Sequence, residues 1–409
     1  MENFEQKLEN AIRALEVPGA VVCGSDAQGK SYYAKAFGFN SLKDDQKPMT
    51  VDSVFWVASA TKLWSAISAL QCVERGLMTL DEDVTRLLPE LKDIEILKGF
   101  EPDSGKPILV KAKKTITLRH LLTHTSGLAY DAFTPELMQW RATRGEEFGL
   151  CMGTVLWRCL TPLVHEPGES YAYSTGLDWA GVMVARATKM TLEEYILKYI
   201  CEPLGIKDIS FHLEKRPDML SRLCEMSERQ GGMTMFGTPA DVNGALQWTV
   251  NNIWKATGLE DDAGGAGGYA TVIDYLKITQ SLANNDEKLL SSSMLDQMCT
   301  PQLGPEAQAT AEMLLKFPEY HNIAAPGVPM DTKFGVGLGS LIVLEDLPGG
   351  RKKGSINWGG LPNLSWWADR ASGVSGFYGS QLVPTADPKT IEMAMAFERE
   401  LYAKVNAGV

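Results

Sequence analysis

Apolar positions recur every third or fourth residue in several stretches of the chain and every second residue in others, so helices and strands are both expected. Phe4, Leu8, Ile12 and Leu15 form a stripe that predicts an opening helix, broken at Pro18-Gly19. Residues 20–23 and 31–34 read as two strands joined by a turn at 26–29. A polar loop at 43–47 leads to a second stripe, Leu63, Ile67, Leu70 and Val73, which stops at Glu74-Arg75-Gly76. Residues 80–89 predict a short helical connection, and 118–127 a capped helix stopped by Gly127. From there to about residue 330 the pattern is mostly helical. It includes the stripe Leu177, Ala180, Val184 and Ala187 and a helix over 272–282. Alternation returns at 334–343, and 354–358, 364–369 and 373–381 predict neighbouring antiparallel strands. Pro388 opens a final helix with Ile391, Met395, Leu401 and Val405 facing inward.

The pattern predicts an α/β (α+β) fold. Both chain ends contribute helix and sheet around a mostly helical inserted lobe. The expected organisation is one domain, with a sheet lobe over about 1–55 and 330–409 and a helical lobe over about 56–330.

Composition narrows the function. A net charge of −12 disfavours nucleic-acid and anionic-membrane partners, which call for a basic surface. The first residues are charged and lack a signal peptide's apolar core, and no apolar run is long enough to span a bilayer. The seven cysteines are scattered and odd in number, which fits reduced thiols and a cytoplasmic location. Five dispersed histidines give no metal-ligand spacing, so no metal or other cofactor is expected.

Candidate chemistry begins at Ser59, just ahead of the second stripe, with Lys62 one helical turn on. A serine hydroxyl needs a neighbouring base, and a lysine desolvated by Leu63 and Trp64 can serve as one, because burial lowers a lysine's pKa by up to ~3–5 units. The helix start favours negative charge developing beside Ser59. Ser-x-x-Lys is short, however, and a serine before a helix is an ordinary cap. His124 reads as a polar residue tying down a helix exit rather than as a base. Tyr173, in Tyr171-Ala172-Tyr173-Ser174-Thr175 after the Pro167-Gly168 turn, can share acid/base work if cations lie near it. The glycines of 264–268 read as a close-approach turn, since the Gly-Lys-Ser/Thr ending of a phosphate loop is missing.

Ser59-Ala60-Thr61-Lys62, then Tyr173-Ser174-Thr175, then Trp358-Gly359-Gly360 resemble, in that order, the serine β-lactamase-like superfamily. The likeness is to its class C, penicillin-binding-protein and esterase branch, and within that to the fungal lovastatin-acyltransferase type. It extends over nearly the whole chain and is dense at 118–128, 177–181 and 216–220. It implies a β-lactamase-like fold, Ser59 as acylated nucleophile, Lys62 as its base and Tyr173 as partner in proton transfer. It also implies an oxyanion hole from the backbone N–H groups of Ser59 and Leu361, with Arg158, Trp358, Gly359 and Gly360 contacting substrate. The implied reaction moves an acyl group from a thioester donor to a hydroxyl of a secondary metabolite. An ester hydrolase is the alternative, then a β-lactam hydrolase or a binding scaffold. One form the donor can take is a carrier-protein domain of a polyketide synthase, for which Arg351-Lys352-Lys353 is the candidate docking patch.

Two positions depart from the β-lactamase pattern. Trp358 stands where a lysine engages the substrate carboxylate, and Thr175 where asparagine is usual. Trp56, Trp64, Trp358, Trp366 and Trp367 are expected to wall a pocket for a large apolar ligand.

Overall fold

The computed structural model describes residues 2–26, 33–43, 46–147, 153–234, 237–249 and 259–407. Seven strands form the central sheet: β1 (Gly19–Ser25), β2 (Tyr33–Gly38), β3 (Phe334–Val336), β4 (Leu341–Val343), β5 (Ile356–Gly360), β6 (Leu364–Asp369) and β7 (Val374–Gly379). Their order is β3-β4-β5-β6-β7-β1-β2, antiparallel throughout, so both chain ends meet where β1 pairs with β7.

Successive side chains leave opposite faces of a strand, and the sheet is covered on both. On one face Ala20, Val22, Trp367 and Tyr378 pack with Phe4, Leu8, Phe397 and Leu401 of two helices, α1 (Glu2–Arg13) and the last helix, Pro388–Ala407. On the other, Val21, Cys23, Ile356, Trp366 and Phe377 join the main core. That core also holds helices α2 (Thr61–Glu74), α3 (Gly176–Thr188) and α4 (Val272–Asn284); the last helix is α5.

The expected helices at both ends and the antiparallel strands are present, with corrections. Leu15 lies beyond the end of α1, with φ 52° and its side chain half exposed. In α5 the innermost residues are Met393, Ala394, Phe397 and Leu401, whereas Ile391 and Met395 are only half-buried. The run 334–343 is a hairpin, because Gly339 at φ 93° turns the chain hard against Ala66, where any Cβ would collide. The helical lobe contains a hairpin of Glu95–Phe100 with Pro107–Lys111 and a small sheet of Val54–Trp56, Tyr269–Thr271 and Ile209–Ser210. A boundary at 56–330 leaves α4 outside the sheet lobe, yet α4 packs directly on β7, β1 and β6. The turn at 26–29 falls mostly outside the described residues, as do Ser31, Tyr32, Asp44 and Asp45.

Trp64, Trp366 and Trp367 are fully buried core residues, not pocket walls. The six described cysteines are free, five of them buried. No described helix is long and apolar enough to cross a membrane.

Candidate active site

Ser59 occupies a single 3-10 turn, Ala58–Ala60, between the strand Val54–Trp56 and α2. It precedes the helix without capping it, since Ala60 holds the cap position and makes no side-chain bond. Ala58 is left-handed at φ 46°, a conformation that costs an alanine energy and persists only where its surroundings enforce it. The enforcement is visible. Thr61 Oγ1 donates to the Ala58 carbonyl at 2.6 Å, and Tyr275 Oη of α4 donates to that of Ala60 at 2.7 Å.

Lys62 points back along its own helix, as spacing of three residues requires, and is 2% exposed. Its Nζ donates to Ser59 Oγ at 3.4 Å, Tyr130 Oη at 2.9 Å and the Gly265 carbonyl at 2.7 Å. Tyr173 Oη donates to Ser59 Oγ at 2.7 Å. Nζ also lies over both tyrosine rings, 4.7 Å from the centroid of Tyr173 and 5.2 Å from that of Tyr130. The three residues proposed from sequence therefore converge on one oxygen.

Tyr130 is a site residue that sequence reasoning missed. It follows the Gly127 turn with no spacing to mark it, and only the fold carries it to Lys62. Burial, and after it the negative charge of Asp178, push its phenol well above the ordinary range, so it stays neutral. The glycine run was recognised as a close-approach turn, but not what it approaches. Besides Gly265, the Gly264 carbonyl accepts from Ser65 Oγ at 2.7 Å and that of Gly268 from Val57 N at 2.9 Å. A Cβ on Gly268 would sit 2.3 Å from the Trp64 ring.

His124 is buried, and its Nδ1 is engaged by Ser174, whose Oγ lies at 3.0 Å and whose N–H donates at 3.2 Å. Burial, then the charge of Lys62, hold its pKa well below the usual value. The ring is a neutral prop beneath Tyr173, 4.9 Å between centroids, and has no bond to Ser59. Trp358 packs there too, 5.6 Å from Tyr173 and 6.0 Å from His124.

The cleft over Ser59 is walled by Trp56, Tyr130, Phe133, Arg158, Asp178 and Leu361, among others. Trp358, Gly359 and Gly360 are not in that wall. Gly360 comes close to protein instead of ligand: its Cβ would lie 2.6 Å from the Val57 carbonyl, so the bare strand seats the nucleophile turn. Arg158 is no surface cation. It is 4% exposed and donates to Asp178 Oδ1 at 3.0 Å, while its Nη1 and Asp178 Oδ2 are buried without hydrogen-bond partners.

Arg351 contradicts the three-cation docking patch. It is 1% exposed, paired with Glu398 at 2.7 Å and stacked over Trp367, leaving only two lysines in solvent. They lie on the turn before β5, at the end of that strand away from Gly360.

The Beta-lactamase family model matches residues 4–397. The chain belongs to that family. The β-lactamase family member is 37% identical to monacolin J acid methylbutanoyltransferase of Aspergillus terreus (strain NIH 2624 / FGSC A1156), over 99% of this chain and 96% of that one. It is 36% identical to lovastatin esterase of Penicillium rubens, over 99% of each chain. A mutant of simvastatin synthase from Aspergillus terreus superposes with a TM-score of 0.89 at 36% identity, covering 99% of this chain and 95% of that structure. The fold is β-lactamase-like, and the chain is an enzyme of the family's acyltransferase and esterase kind.

Proposed function

We propose that this enzyme transfers an acyl group from a thioester to a hydroxyl of a bulky secondary metabolite through an acyl-Ser59 intermediate. The observation that carries the reading is Ser59 Oγ, 2.7 Å from Tyr173 Oη and 3.4 Å from Lys62 Nζ in a cleft walled largely by aromatic and apolar side chains. Ser59 Oγ attacks the thioester carbonyl, and its proton passes to the Lys62–Tyr173 pair. The oxyanion is met by the N–H groups of Ser59 and Leu361, each such donor being worth about 10²–10³ in rate. As the C–S bond breaks, the pair returns the proton to the leaving thiolate. In the second half, an acceptor hydroxyl loses its proton to the pair and attacks the acyl carbonyl. Ser59 Oγ leaves and is reprotonated.

Acceptor recognition falls to Arg158 and Asp178, whose free Nη1 and Oδ2 offer a donor and an acceptor on a pair that lines the cleft. Phe133, 58% exposed where the cleft opens, supplies apolar contact for the body of the acceptor. A small soluble thioester is the simplest donor. A carrier-bound donor would need a docking surface other than the turn at 351–353.

Hydrolysis is the second reading, favoured by the 36% identity to a lovastatin esterase over the full length of both chains. Partitioning decides between them. The acylated enzyme is mixed with a panel of hydroxylated polyketides, and ester product is measured against free acid. Ester in excess supports transfer, and free acid with every acceptor supports the esterase.

A further inference from the structure

The loop 260–268 grips the nucleophile segment through its backbone. Its carbonyls take Lys62 Nζ, Ser65 Oγ, Val57 N and Trp56 Nε1, and the Gly268 N–H donates to Thr61 Oγ1 at 3.0 Å. All four of its glycines leave no room for a side chain. A loop with so few side chains of its own needs anchoring from outside, and its root carries two consecutive carboxylates, Asp261 and Asp262.

Each carboxylate is committed to a different neighbour. Both oxygens of Asp261 lie 2.9 Å from the Val155 N–H, at the start of the short helix Val155–Cys159 that carries Arg158. Asp262 Oδ2 accepts the Glu193 N–H at 2.7 Å, and its Oδ1 is 2.8 Å from His212 Nε2. Glu193 closes the ring, accepting from Ser210 Oγ at 2.8 Å and the Phe211 N–H at 3.1 Å. The ligand atoms of Glu193, His212 and Asp262 lie within 4.8 Å of one another, close enough for a metal ion. Every carboxylate oxygen of the two acids, however, already has a protein hydrogen-bond partner, so the cluster is complete as a brace.

We propose that Asp261 and Asp262 are positioning residues for the transfer reaction. Asp262, braced by His212, sets the Gly265 carbonyl against Lys62. Asp261 ties the same loop to the segment bearing Arg158. The lysine at Ser59 and the arginine in the acceptor wall are thereby held in one register. This inference rests on the Ser59–Lys62 reading above and adds how that pair is held.

The experiment measures acyl-enzyme formation from p-nitrophenyl butyrate for Asp262→Asn, His212→Ala, His212→Gln and the control Glu194→Gln. Glu194, next to Glu193, caps the helix Leu192–Ile196 through the Thr191 N–H at 2.8 Å but makes no bond to the loop. Displacing a reacting group by about 1 Å costs up to ~10²-fold, so Asp262→Asn and His212→Ala should slow acylation about ten- to a hundredfold. KM should be unchanged and the acid limb of the pH–rate profile displaced. His212→Gln, which keeps a donor toward Asp262, should recover most of the rate. Glu194→Gln should lower only the melting temperature. If Asp262→Asn does not fold, His212→Ala carries the test, because that ring lies outside the loop. For Asp261→Ala, the expectation is a raised KM for the acceptor alcohol with normal acylation. Wild-type rates and pH profiles in the Asp262 and His212 variants, or losses no larger than in Glu194→Gln, overturn the inference alone. Absence of acyl-Ser59 in the wild-type enzyme overturns the underlying reading and this one with it.

Discussion

Two buried arginine–aspartate pairs in this enzyme differ in completeness. Arg229 and Asp387 leave nothing over. Arg229 Nε and Nη2 hold Asp387, while Nη1 and Nη2 reach the carbonyls of Gly244 and Glu16 at 3.0 and 2.7 Å. Asp387 also caps α5 through the Thr390 N–H at 2.9 Å. Arg158 and Asp178 are as deeply buried but unfinished, each keeping one polar atom without a partner, and both line the cleft. A buried polar atom left unmet costs about 1–3 kcal/mol, which supports the proposed reading of the unfinished pair as a receptor for ligand and of the finished one as a structural bolt. An orphan guanidinium nitrogen is not enough for that reading. Arg351 Nη1 also lacks a hydrogen-bond partner, but it lies away from the cleft over the Trp367 ring.

The comparison breaks most visibly at the bolt. Arg229→Met strands a buried carboxylate and should cost about 3–5 kcal/mol in denaturant melts, with kcat of the folded fraction unchanged. Loss of acceptor affinity without loss of stability would reverse the two roles. Next in size is Tyr130→Phe, which removes one of three acceptors from Lys62. Acylation should slow about 10–10²-fold at constant KM, because the lost bond orients a reacting group rather than binding substrate.

The receptor pair is sharpened by Arg158→Lys, which keeps the charge and loses the fork. KM for the acceptor should rise about tenfold while the melting temperature and acylation rate stay put, as expected for one hydrogen bond to a charged group. A protein that melts early with normal acceptor KM would make this pair a second bolt. The smallest effect is in pH dependence. The hydrogen bond to Asp262 raises the His212 pKa above its ordinary value, ahead of the opposing desolvation, with Glu193 adding to the rise and Lys215 reducing it. A raised folded-state pKa stabilises fully below the unfolded value, about 6.5, and the contribution fades as pH climbs through the folded value. Thermal melts across that interval should show a decline that His212→Gln flattens.

Much of the architecture and the three converging side chains were legible in the sequence, for identifiable reasons. Ser59 and Lys62 share a helix turn, so spacing alone brings them together. Tyr173 was found through its place in an ordered set of motifs. Tyr130, Asp178 and Gly265 were not legible, because they act through a phenol, a carboxylate and a carbonyl delivered by loops whose approach no local period encodes. Trp358 was misplaced for a related reason. Its motif position points it at the substrate, but the packing on His124 sets it behind Tyr173, outside the cleft wall. The basic run at 351–353 misled because sequence shows charge but not burial, and Glu398 of α5 takes Arg351 inside.

The central claim is that Ser59 carries the acyl group. Intact-protein mass spectrometry after brief mixing with a short-chain acyl thioester tests it directly. The mass should rise by one acyl group, map to the peptide containing Ser59, discharge when a hydroxylated acceptor is added, and be absent in Ser59→Ala. Ester formation by Ser59→Ala at an undiminished rate, or an adduct that maps elsewhere and discharges to product, would contradict it.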